Sequence, residues 1–419
     1  MLTRGPTFDF VSRFFSRNLV TIKVKPLLFC LAALVALPII FSPLTADDIP
    51  NSKLRANLLS LPGNVVENLL ISIWNFINQW LEVEGRFFPG GVIYPHIIHF
   101  VFQGIGLYKV FLASLLIGIA FQIYNLMNYV FSKKASLIGV VFFLSSYSIR
   151  YVYFHDGITS FSGMVPFGLL CFLLSINIAL RIKSFYSIKT LISILLYVFA
   201  CLTYEHFTIL VIGVFIFLAL LQKENITLKY VLLTISIMQI VLALYLKIGQ
   251  TTAPAYSINF SPLPVINTAL KQFLGAFPGS QYWAANNFIS TTLMSQIMKS
   301  FTLVIIFAIV IYLILERSLK YPMNKTVTKR SSIAYLVLGF TMAVLPALLT
   351  GLTAQWQSSI PLGQAYLCVT IQSAGLSLIL IVIYEQLYKT RTYLANLLAL
   401  VTCALFVLNV FWNYFFIKQ

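Results

Sequence analysis

A chain of 419 residues that is 59% hydrophobic, 9% charged and +0.91 in mean hydropathy carries more apolar side chain than a soluble core can bury. Its formal charge of +17 comes in short basic clusters between apolar runs, which is the pattern of membrane topology and excludes a polyanion groove for nucleic acid. All five cysteines (Cys30, Cys171, Cys201, Cys368, Cys403) lie inside apolar segments, so neither a loop disulfide nor a zinc site is expected. The expected fold class is all-α: a polytopic transmembrane helical bundle forming a single integral-membrane domain over 1–419.

In chain order, residues 1–25 hold Arg4, Arg13, Arg17, Lys23 and Lys25 and read as an amphipathic segment on the cytoplasmic surface. The apolar run after them reads as an uncleaved first helix, because Leu44-Thr45-Ala46 is a poor cleavage match. Eleven spans are predicted, at 26–43, 108–130, 135–153, 162–180, 189–204, 207–222, 229–247, 299–316, 332–350, 364–384 and 393–415. With the N-terminus inside, the connections at Lys133–Lys134, Arg181–Lys189, Lys223–Lys229, Arg317–Arg330 and Lys389–Arg391 are cytoplasmic. Together with the N-terminal cluster they hold 19 of the 28 Lys and Arg residues, so the positive-inside rule supports this orientation.

The cytoplasmic loops are then short and the external ones long, at 44–107 and 248–298, with a smaller connection at 351–363. Long ordered loops carry function, which places the work outside. The first loop should contain a surface helix. Asn64 with Glu67 makes a cap-like start, and Val65, Val66, Leu69, Leu70, Ile73, Phe76, Ile77, Trp80 and Leu81 fall at helical spacing. The Pro- and aromatic-rich loop 248–298 reads as a shaped lid or a re-entrant segment.

Eleven acidic residues are few enough to weigh one by one. Asp9, Glu224, Glu316 and Glu385 read as solvated cytoplasmic charges. Asp47, Asp48, Glu67, Glu82, Glu84, Asp156 and Glu205 are all external. The adjacent Asp47 and Asp48 sit where the first span surfaces. They read either as a helix stop and cap, or as a general base whose pKa is raised by its neighbour and by burial.

"SIRYVYFHDGITS" brings Arg150, His155 and Asp156 into one external stretch, a turn or a phosphate site with an orienting partner. Glu205 and His206 lie almost within the hydrophobic region, where ionisable groups are costly and so favour a function. Arg86 suits either bidentate phosphate binding or headgroup anchoring. His96 and His99, three apart, are interfacial or share a metal. Lys271 joins Arg86 and Arg150 as a candidate phosphate cation, and Trp356 in the small connection completes the substrate-supporting candidates.

A cytoplasmic N-terminus, a first helix ending in "ADD", a long external loop with a surface helix, and the closing "EGRFFPG" together resemble the GT-C class of integral-membrane glycosyltransferases. The last element is similar to the Gly-Arg element of the O-antigen-modifying (serotype-converting) glucosyltransferases of bacteriophage and Gram-negative origin. The resemblance implies transfer of a hexose such as glucose from a polyprenyl-phosphate donor to a cell-surface glycan, at the periplasmic side of the bacterial inner membrane. Asp47 or Asp48 would be the catalytic acidic residue. Asp48 and Asp156 are the residues that could share a divalent cation, Mg2+ or Mn2+, although the lone "HDG" departs from paired acids. Partners would be membrane lipids, the donor, the acceptor glycan, and a donor-synthesising glycosyltransferase and a flippase of the same pathway.

Independently, the short internal loops cannot house a nucleotide-binding domain, and no Gly-rich phosphate loop occurs. This disfavours a cytosolic nucleotide-sugar donor. Two alternatives stay open. A transporter or flippase of a lipid-linked sugar predicts internal repeats and charged residues lining a path. An O-antigen ligase or polymerase predicts Arg and His in the late loop, where only Lys271 and Lys299 occur.

Overall fold

The computed structural model describes residues 23–44, 48–102, 104–149, 161–222, 224–249, 257–285, 301–318, 327–360, 362–363 and 367–417. The chain enters as α1 (Val24–Phe41), followed by a group of four helices: α2 (Asp48–Asn51), α3 (Leu54–Ser60), α4 (Val65–Glu82) and α5 (Pro89–Val101). Next come α6 (Ile105–Met127), α7 (Lys133–Ser146), a 3-10 turn at Phe161–Gly163 and α8 (Met164–Ala179). They are followed by α9 (Ile188–Thr203), α10 (Glu205–Thr208), α11 (Val211–Leu221) and α12 (Ile226–Gly249). The last part holds α13 (Pro262–Leu274), α14 (Ser280–Ala285), α15 (Phe301–Ser318), α16 (Lys329–Gly351), α17 (Ala354–Ser359), α18 (Val369–Thr390) and α19 (Thr392–Ile417). Among the described residues the one pairing outside helices is an isolated bridge between Ile258 and Thr353.

Seven of these helices are long and apolar enough to cross a membrane: α1, α6, α8 with its 3-10 turn, α12, α16, α18 and α19. Three shorter apolar helices, α9, α11 and most of α15, accompany them. This is a multi-pass membrane protein. Helices are forced on it, since every backbone polar group at membrane depth must be satisfied within the segment.

Close approach, more than side-chain bulk, joins α16 to α18. A Cβ added to Gly375 would stand 2.6 Å from the Gly339 carbonyl oxygen, and one on Gly339 would stand 2.8 Å from that of Gly375. Small residues at such a crossing let two backbones pack directly in lipid, where no hydrophobic force drives helices together.

The interior of the bundle is α7, whose residues from Ala135 to Ser146 are all buried. A span over 135–153 is predicted, but the helix stops at Ser146. Two asparagines on α19 account for the stop. Asn409 donates to the carbonyls of Leu144 (3.0 Å) and Tyr147, and Asn413 accepts the Ile149 N–H (2.9 Å). Those carboxamides take the backbone groups that a continuing helix would have used. The tenth span also shifts, from 364–384 to Val369–Thr390. Glu385 is consequently buried in the last turns of α18, 3.6 Å from Lys389, and is not the solvated loop charge expected.

The first long loop is ordered as four helices where one was expected, and α4 begins as the sequence indicates. The Asn64 side chain accepts the Val66 N–H at 2.8 Å. Leu69 is the buried residue of α4, while Val66, Leu70 and Trp74 are exposed, as a helix lying along a membrane surface requires. In the late loop, α13 is inside out. Leu263, Ile266 and Leu270 face outward, while Thr268 and Gln272 are buried, with Gln272 bonded to Gln372 (2.7 Å). An apolar outer face with a polar inner one fits the re-entrant alternative for this loop.

Connections sort to two ends. One gathers the basic loops: Lys134 pairs with Glu316 (2.5 Å), Arg330 donates to the Ala219 carbonyl (3.0 Å), and Gln222 ties down Ala179 and Ile182. The other holds α2 to α5, the 3-10 turn, α10, and the bridge between Ile258 and Thr353.

Candidate functional site

At the second end, α1 terminates at Ser42, whose hydroxyl donates to the Ile39 carbonyl (2.7 Å). Lys109, fully buried at the head of α6, reaches back to Ser42 Oγ (3.2 Å) and the Pro43 carbonyl (2.9 Å). A cation at the carboxyl end of a helix complements its dipole. This tether brings the chain into α2 with Asp48 at its first position.

Asp48 is 0% exposed. The Tyr108 hydroxyl donates to Oδ2, and Ser162 donates to Oδ1 from its backbone N–H (2.7 Å) and its hydroxyl (3.2 Å). Burial pushes the carboxyl up to about 6, against the lowering effect of those hydrogen bonds and of Lys109.

Ser162 reaches this position through backbone strain. Phe161 (φ 54°), Ser162 (φ 57°) and Gly163 (φ 70°) are all left-handed, which costs the two non-glycine residues about 1–3 kcal/mol each. The Ser162 hydroxyl also lies 2.8 Å from His99 Nε2, and the His99 ring packs 4.8 Å from that of Tyr108. Burial, with smaller effects of His96 and Lys109, lowers His99 to about 4, so its imidazole is neutral at physiological pH. The result is a buried chain His99–Ser162–Asp48–Tyr108 drawn from α5, the 3-10 turn, α2 and α6.

The second centre is Arg86. Gly85, at φ 58°, turns the chain so that the Arg86 N–H meets the Trp80 carbonyl (3.0 Å). Its guanidinium then grips Glu205 in two parallel bonds, Nε to Oε1 at 2.7 Å and Nη2 to Oε2 at 2.6 Å. The cation also sits over the rings of Phe88 (4.6 Å), Trp80 (5.4 Å) and Tyr204 (6.0 Å). Burial alone would raise the Glu205 carboxyl, but the Arg86 charge and hydrogen bonds outweigh it and hold the group below the usual carboxylate range. Sequence reading treats Arg86 and Glu205 as separate candidates, one of them a free phosphate cation. The structure makes them one ion pair.

Two cavities share Arg86 and Tyr204 in their walls. The larger, about 470 Å³, is bounded by Pro50, Trp80, His96 and Ser162. The smaller, about 250 Å³, lies between α10, α12, α16 and α17 and takes in Glu205, His206, Gln239 and Trp356. Asp48 stands behind the wall of the larger one, with Ser162 between. No family model, curated protein or solved structure matches the chain.

Asp47, Arg150, His155 and Asp156 lie outside the described residues. Lys271 is half-buried on α13 and lines neither cavity. His96 and His99 do not converge on a common point. His96 Nδ1 donates to the Val92 carbonyl (2.8 Å), leaving Nε2 for Ser72 (3.3 Å), whereas His99 turns to Ser162. Among the described residues no group of three or more His, Cys, Asp or Glu is placed to hold a metal, and both Asp48 oxygens are engaged by hydrogen-bond donors. Tyr108, Lys109 and Ser162 escape the sequence reading. A lysine at the mouth of an apolar run is a detectable signal; Ser162 offers none.

Proposed function

We propose that the protein is a membrane glycosyltransferase of GT-C type, moving a hexose from a polyprenyl-phosphate donor to a glycan hydroxyl at the external face of the bacterial inner membrane. The observation that carries this reading is Asp48. It is a buried carboxylate with a pKa near 6, hydrogen-bonded to Ser162, a residue in the wall of a cavity at one end of a spanning bundle. A base poised near the working pH suits deprotonation of an alcohol.

In this scheme the acceptor oxygen attacks the anomeric carbon as the bond from that carbon to the phosphate oxygen breaks. The acceptor proton passes to Ser162 Oγ, whose own proton moves to Asp48, and polyprenyl phosphate leaves. Direct displacement inverts the anomeric configuration. Arg86 supplies hydrogen-bond donors at the wall common to both cavities, and Glu205 offsets its net charge. The leaving phosphate is therefore met by oriented N–H groups and not by a strong positive field.

The test is transfer in proteoliposomes from radiolabelled polyprenyl-phosphate glucose to an O-antigen acceptor. Asp48→Asn is expected to lower the rate by about 10²–10⁴-fold, the contribution typical of general base catalysis. Wild-type transfer by that variant would overturn the assignment.

A further inference from the structure

The larger cavity carries hydrogen-bonding capacity that the reaction proposed above leaves unused. Of the polar residues in its wall, Arg86 is bound to Glu205, and His96 is engaged by the Val92 carbonyl and Ser72. Ser162 is committed to Asp48 and His99. Asn51 differs from all three. It stands half-buried in the same wall, and its side chain makes no hydrogen bond among the described residues. Neither atom of its carboxamide is fully buried, so both remain within reach of a ligand.

Its place in the chain fixes what it sits beside. The helix α2 runs from Asp48 to Asn51, and residues three apart on a helix share a face, with Cβ atoms about 5–6 Å apart. Asp48 in turn holds Ser162 through Oδ1. Asn51 therefore belongs to the Ser162 side of the cavity, where the acceptor loses its proton. Arg86 belongs to the side shared with the smaller cavity.

Much of the remaining wall is aromatic. Phe76, Trp80, Phe88 and Phe161 line it, with Phe76 45% exposed. A carboxamide presents a donor and an acceptor side by side in one plane, a pattern that two adjacent hydroxyls complement. Aromatic rings suit the C–H face of a pyranose, while a few polar groups fix its orientation. A phosphate dianion has no proton for the amide oxygen, and a hydrocarbon chain satisfies neither atom.

We infer, on the reading of this cavity as the place of sugar transfer, that Asn51 determines acceptor specificity. Its carboxamide binds two adjacent hydroxyls of a pyranose whose C–H face lies against the aromatic wall. One turn of α2 thus carries both the base and the group that aims the acceptor toward it.

Binding is measured without turnover, by saturation-transfer NMR on the full chain in nanodiscs, with the signal of empty nanodiscs subtracted. The probes are methyl glucoside and 2-methoxytetrahydropyran, the same ring stripped of its hydroxyls. Asn51→Leu keeps the shape of the side chain and removes both hydrogen-bonding atoms. It should lower the glucoside signal by about tenfold and leave that of the bare ring within about twofold. In transfer assays it should raise the acceptor KM by about tenfold and leave the donor KM unchanged. A glucoside signal equal to wild type, a wild type that binds no glucoside, or a change confined to the donor KM overturns the assignment. If Asn51→Leu loses both signals, Asn51→Ala is read in its place, with the same selective drop expected and an unchanged glucoside signal counting against the site. Glucoside binding that depends on Asn51 in a protein without transfer activity keeps this site and removes the reaction proposed above.

Discussion

Arg86→Ala is expected to lower stability by about 1.5–3 kcal/mol, the cost of removing charge-assisted hydrogen bonds from a partly buried carboxylate. Glu205 would keep its carboxylate in a site where the two side chains are only 15% and 26% exposed. The three rings around the guanidinium, Trp80, Phe88 and Tyr204, would lose their common contact as well. Arg86→Lys keeps the charge but not the two parallel bonds, and should fall between. Replacing both members together, as in Arg86→Met with Glu205→Leu, should recover most of the loss, because a desolvated pair contributes little net stability over apolar residues of similar size. Thermal and denaturant unfolding in detergent micelles measure all three. Arg86→Ala within about 1 kcal/mol of wild type would mean that water reaches the pair far more freely than its burial indicates.

Asp48 should make stability and catalysis respond to pH in opposite directions. Its folded-state pKa of about 6 lies above the ordinary 3.8. The folded chain therefore binds this proton more tightly than the unfolded one. The stability it contributes is complete below about pH 3.8 and is lost as pH rises through about 6. The shift corresponds to about 3 kcal/mol over that window. The proposed reaction needs the ionised form, so the rate should rise where stability falls. Melting temperatures of the wild type between pH 4 and 7.5 should show this decline, and Asp48→Asn should flatten it. Equal pH slopes in the two proteins would show that Asp48 does not titrate in this window.

Seven of the eleven expected spans fall on helices long and apolar enough to cross a membrane, because twenty-odd apolar residues between basic clusters leave a chain few choices. The cap at Asn64 was legible for the same local reason: its partner, Val66, lies two residues away. What escaped was set by distant residues. The stop of α7 at Ser146 depends on Asn409 and Asn413, more than 260 residues further along the chain. Asp48, Arg86 and Glu205 could each be singled out, because a charge beside an apolar run is conspicuous. That Arg86 holds Glu205 across 119 residues, and that Ser162 holds Asp48 across 114, has no local signature. Lys271 stands out in the sequence for its charge, but the inside-out packing of α13 leaves it away from both cavities. His96 and His99 have helical spacing suited to one ligand, yet their separate partners decide otherwise.

In the proposed reaction a carboxylate ionising near neutrality, reached through Ser162, takes the acceptor proton. The decisive experiment is single-turnover transfer from polyprenyl-phosphate glucose between pH 4.5 and 8. The rate should climb about tenfold per pH unit at the acid end and level off above about 6 in the wild type, with Asp48→Asn slow and flat throughout. A wild-type profile without that rise, or an Asp48→Asn profile that keeps it, would rule out Asp48 as the base.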